Sequence, residues 1–206
     1  MMKVVTSLAS GTIVIINTLL NFVMRRFSMA EQHETQTKMN VSVAFKLLIA
    51  RFFNSSIILL LVNKDKAKWF KGGDLVYEAT VLVGMLAFYA PFMELLYIPG
   101  IMKWRKKSAE MAKGDECELT QREANLLCEG GQIDPANSIS NFMNMIMTCC
   151  FYSPIIPVAI PLAFVSSFCF YWVTKYSFLR RYKMPDMFGE LMATFFSNFM
   201  PWLIFV

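Results

Sequence analysis

Hydrophobic residues in this chain come in long runs, and polar residues fill the gaps between them. The runs cover residues 4–24, 41–62, 75–98, 139–173 and 187–206. A helix of about 20 apolar residues spans the hydrocarbon core of a bilayer. The first three runs therefore each predict one transmembrane helix. The fourth would reach roughly 50 Å as a single helix at 1.5 Å per residue, too long for one upright crossing. It contains FYSPIIPVAIPLAF, with Pro154, Pro157 and Pro161. A proline inside a helix costs roughly 3 kcal/mol or more, so a break is expected here.

The charges between the runs say what kind of break. Lys and Arg gather on the cytoplasmic side of short loops. If residues 139–173 cross once, the two sides carry nine basic residues each. If they turn back as a hairpin, one side carries thirteen and the other five. Only the hairpin obeys the rule, with the basic loops cytosolic. About 13 residues lie on either side of the prolines. Each arm is thus expected to be short, roughly 20 Å, and shielded by protein. The predicted fold is all-α: a polytopic transmembrane helical bundle with a proline-rich helical hairpin. It forms one transmembrane domain over 1–206, with a cytosolic loop at 99–138. The last run reaches Val206 without a polar flank, which suggests a fragment of a longer protein. The sequon Asn40-Val41-Ser42 would be cytosolic in this topology, and a glycan on Asn40 would invert it.

Composition agrees. The 206 residues are 56% hydrophobic and 17% charged, against about 25% charged in soluble domains. The five cysteines and single His33 form no ligand pattern. No cofactor, metal or nucleic acid is expected. No nucleophile–base set or phosphate loop is present, so an enzyme is not expected.

Polar residues inside the runs are the candidates for function. Asn17 and Asn21 lie four apart on one helical face, either as interhelical hydrogen bonders or as a wall of a wet path. In the second run Lys46 can snorkel, whereas Arg51 lies deeper and needs a partner or an aqueous cavity. The third run carries Asp74 and Glu78 near its outer end and Glu94 near its inner end. Ionisable groups within a span are costly and point to function. Gly84 loosens packing, and Pro91 removes a backbone hydrogen bond shortly before Glu94; together they form a candidate hinge. Glu78 and Glu94 lie about 160° apart on a straight helix and share a face only if Pro91 rewinds it. Between runs three and four, Thr120 and Glu123 read as a capping box for a short helix over 121–128, stopped by Gly130-Gly131. The segment KYSFLRRYKMPD suits the inner interface.

The residues MELLYIPG, then a basic loop, then YSPIIPVAIPLAF and FYWVTKYSFLRRY resemble the OSCA family of hyperosmolality-gated, calcium-permeable cation channels and their animal relatives. The resemblance covers most of this chain but only about the second half of a family member. It implies that the third run is the pore-lining helix, with Glu94 at the family's acidic position. Glu78, Tyr89, Asn17 and Asn21 are further pore-lining candidates of this chain. The Gly-rich hinge of plant members is replaced by Phe88-Tyr89-Ala90-Pro91. The expected function is a mechanically or osmotically gated, non-selective cation channel in a plasma membrane or endomembrane of a eukaryote. Its expected partners are the lipid bilayer, permeant cations, and a second copy or a missing N-terminal half. The alternatives are a lipid scramblase of the same superfamily, as in anoctamins, and a non-conducting accessory subunit.

Overall fold

The computed structural model describes residues 16, 19–20, 22–24, 26–27, 30–31, 33–63, 69–70, 75–96, 98–114, 119–131, 133–183 and 190–205. Among these the chain is helical, with no strand and a single isolated bridge, Gly131 to Tyr182. Asn17, Asn21 and Asp74 lie outside the described residues.

Helix α1 (Gln36–Phe52) starts at Thr35, whose side chain accepts from the Lys38 N–H. It passes into a five-residue π-helical turn, Phe53–Ile57, and on into α2 (Ile58–Val62). The second run is therefore helical from Gln36, five residues before its apolar part begins. Lys46 reaches back to an ion pair with Glu31. That contact, first through its hydrogen bond, holds the Glu31 carboxyl below its ordinary value. Helix α3 (Leu75–Leu96) continues through Pro91 without interruption.

Two expectations need correction. The segment 99–138 is not mainly loop. Helix α4 (Ile98–Ala112) fills its first part, because from Ile101 to Lys113 no Gly or Pro interrupts a series of good helix formers. Helix α5 (Gln121–Cys128) follows, with the Thr120–Glu123 capping box formed in both directions. The hairpin arms are also not short. Helix α6 (Pro135–Tyr152) has 18 residues and α7 (Ala159–Arg180) has 22, or roughly 27 and 33 Å. Asp134 caps α6 through the Asn137 N–H, and Pro135 stands in its first turn, where no N–H is missed. The prolines cost little where they sit. Pro154 and Pro157 lie in the turn between the helices, and Pro161 is the third residue of α7, among the four N–H groups that have no intrahelical partner.

The chain does double back. Phe142 stacks on Phe170 with centroids 5.0 Å apart, and at the hairpin's base the Lys183 N–H donates to the Gly131 carbonyl at 3.1 Å. Gly130 is required there for another reason than helix termination. The α5 cap residue Glu129 is extended, and a Cβ on Gly130 would meet backbone atoms of Arg181, Tyr182 and Lys183 at 2.6–2.8 Å.

Helix α6 is central. One of its sides packs with α1 and α8 (Leu191–Phe199) around Leu47, Leu48, Met143 and Phe196. The other packs with α3 and the start of α7 around Leu82, Val83, Tyr152 and Ala159. The fifth run is not one continuous α-helix: α8 tightens into a 3-10 stretch, Met200–Phe205. Among the described residues, two helical stretches, Gln36–Val62 and Leu75–Ala112, are long and apolar enough to cross a bilayer.

Candidate functional site

Polar side chains inside the bundle fall into two groups, one on each side of α6. The first is a seam between α1 and α6. Arg51, 2% exposed, donates through Nη1 to Ser140 Oγ at 2.5 Å and through Nη2 to Asn137 Oδ1 at 2.7 Å. Asp134 and Tyr89 lie within electrostatic range of its guanidinium. Further along, Ser56 donates to Thr148 at 3.1 Å, and the Tyr152 hydroxyl donates to the Ser56 carbonyl at 2.8 Å. The Ser55 hydroxyl donates to the Arg51 carbonyl at 2.7 Å. The π-helical turn lies in the middle of this seam, a distortion frequent at functional sites. On α6 the seam is Asn137, Ser140, Asn144 and Thr148, a spacing of three, four and four that keeps one face.

The second group joins α3 to α7. Pro91 has no N–H, so the carbonyl of Ala87, four residues earlier, loses its intrahelical donor. Ser166 of α7, buried, supplies one: its Oγ donates to the Ala87 carbonyl at 2.5 Å. Further towards the ends of the two helices, Thr174 donates to Glu94 Oε2 at 3.0 Å. The other carboxylate oxygen, Oε1, is buried and has no hydrogen-bond partner among the described residues. Arg181 closes the group by donating to the Glu94 carbonyl at 3.4 Å and to the Leu95 carbonyl.

The predicted site residues are thus not gathered in one place. Glu78 accepts from Asn63 Nδ2 at 2.9 Å, and Asn63 in turn holds Trp69. Tyr89 is half-buried and lies within electrostatic range of Arg51. Eleven residues apart, Glu78 and Tyr89 are separated by only about 20° around α3, whereas Glu94 faces α7. The carboxylates stay on different faces, as expected for a helix that is not rewound at Pro91. Gly84 has nothing within 4 Å of a Cβ built on it, so it is not a close-packing glycine. The α6 seam, Ser166 and the Thr174 contact were not among the sequence candidates. The seam's spacing was available as a signal; the pairing of Ser166 with a proline-freed carbonyl needs the fold.

No protein-family model matches the chain, and neither the curated proteins nor the solved structures contain a significant match to it.

Proposed function

We propose that this chain is the pore region of a mechanically or osmotically gated, non-selective, calcium-permeable cation channel of the OSCA type, embedded in a eukaryotic membrane. The two long apolar stretches bury only 39% and 29% of their most apolar windows within the bundle. A core helix of a soluble protein hides most of such a window; these leave it for lipid. Exposed Phe164, Phe168, Tyr171 and Trp172 extend the same surface along α7.

The observation that carries the channel reading is Glu94. It is a carboxylate within an apolar helix, facing a second helix, with one oxygen lacking a donor among the described residues. Such a group is costly in a membrane unless water or a cation completes its shell. The neighbouring Ser166–Ala87 bond gives a gating element. Pro91 lets α3 bend, and Ser166 holds it straight against α7. Tension that separates α3 from α7 breaks this clasp and opens a wet path past Glu94. Arg51, by contrast, is locked in its seam and stands off the path.

The test is flux. Liposomes containing the purified chain should show calcium entry that rises with osmotic swelling and exceeds that of empty liposomes. A lipid-flipping assay on the same preparation should stay at background. No swelling-evoked flux contradicts the channel reading, and fast flipping without current replaces it with a scramblase.

A further inference from the structure

At the end of the bundle where Arg181 meets α3, the helices border an open groove of about 520 Å³. That is within the roughly 300–1,000 Å³ range of small-molecule sites. Its wall carries Lys103, Lys107, Arg180 and Arg181 against a single acidic side chain, Glu129. Part of this charge is structural. Lys103 donates to the carbonyls of Leu126 and Glu129 at the end of α5, and Arg181 holds the end of α3. Lys107 and Arg180 are different: among the described residues neither has an ion-pair partner. Two cations without an ion-pair partner among the described residues line this open groove, where one anion can meet both.

Trp104 lies in the same wall, and Ile101, Met102, Trp104 and Leu179 leave large apolar surfaces exposed beside the basic ones. Apolar and cationic side chains interleaved at the ends of spanning helices belong at a lipid–water interface. The lining has three positive charges in excess. A phosphate monoester carries about −1.5 to −2, so a headgroup with two of them meets or exceeds the charge of the wall, whereas a phosphatidylserine head falls short of it. We infer that this groove binds the headgroup of a polyphosphorylated inositol lipid from the cytosolic leaflet, with Lys107 and Arg180 as its direct ligands. The occupant is a lipid rather than a soluble anion because the apolar rim needs acyl chains to cover it. A phosphate there also competes for Arg181, and so reaches the end of α3 next to Glu94. The inference rests on the membrane placement proposed above, but its binding readout is independent of conduction.

Binding is measured on the purified full chain in nanodiscs, with a fluorescent phosphatidylinositol bisphosphate as the probe. Wild-type chain should prefer this lipid to phosphatidylserine by more than tenfold. The double variant Lys107→Gln/Arg180→Gln should weaken binding about thirty-fold, at about five-fold per basic residue. Lys113→Gln, whose lysine pairs with Glu110 outside the groove, should change nothing. Equal binding of phosphatidylserine, or full binding by the double variant, overturns the site. Competition by free inositol trisphosphate as strong as by the lipid overturns the lipid assignment. Loss of current with binding intact contradicts the channel reading and leaves this one standing.

Discussion

Arg51 and Glu94 are both charged residues in apolar helices, yet their surroundings differ in kind. Arg51 is almost fully buried, and both terminal nitrogens of its guanidinium are bonded, to Ser140 and Asn137. Glu94 is half-buried, held at one oxygen by Thr174 and bare at the other. The first joins two helices. The second sits on a joint between two others, beside a proline. Arg51 Nε is also buried without a partner among the described residues, but its two terminal nitrogens tie α1 to α6, whereas the unpartnered Glu94 oxygen lies on the α3–α7 joint beside Pro91, where solvent or an ion can enter. Helix α3 likewise has two faces, one bearing Glu78 and Tyr89 and one, with Glu94, meeting α7.

The contrast breaks first at Arg51. Arg51→Leu removes the donors of Ser140 and Asn137 in a buried seam, each loss costing about 1–3 kcal/mol. A destabilisation of about 2–4 kcal/mol is expected, read as a lower unfolding midpoint in detergent. An unchanged midpoint would show that the seam is not glue.

Ser166→Ala is a smaller change with a more specific effect. It orphans the Ala87 carbonyl that Pro91 has freed, weakening the α3–α7 joint by about 1 kcal/mol. Swelling-evoked flux should then begin at lower tension, with little change in the unfolding midpoint. A raised threshold would remove the clasp from the mechanism.

The smallest effect lies outside the bundle. Glu123 is held below its ordinary value of 4.5, first by the Thr120 backbone N–H and then by its hydroxyl. Its cap on α5 is therefore fully present above pH 4.5 and is lost as the pH falls through the lowered value. Hydrogen exchange of the α5 amides should quicken below pH 4.5, while α1 and α6 stay protected. Equal quickening in all three would deny α5 its separate stability.

Local signals were legible in the sequence where they are short and chemical. The Thr120–Glu123 box gave α5 its observed limits. The three prolines marked the turn between α6 and α7. Asp134-Pro135 was an equally clear helix start, yet the apolar run drew the boundary to residue 139 because hydropathy begins later than helix. The π-helical turn at Phe53–Ile57 has no Gly or Pro to announce it; it lies where Tyr152 donates across the seam to the Ser56 carbonyl, Ser56 donates to Thr148, and Ser55 donates back to the Arg51 carbonyl of its own helix. Glu94 was visible as a charge in an apolar span. Its partner Thr174 was not, because helical periodicity says which residues share a face but not which helix that face meets.

The most direct measurement concerns Glu94 itself. Reversal potentials are recorded under a calcium–potassium gradient for the reconstituted chain and for Glu94→Gln. Loss of a carboxylate from a cation path should lower relative calcium permeability several-fold while the swelling threshold stays within the wild-type range. Identical reversal potentials would place Glu94 outside the path and contradict the account.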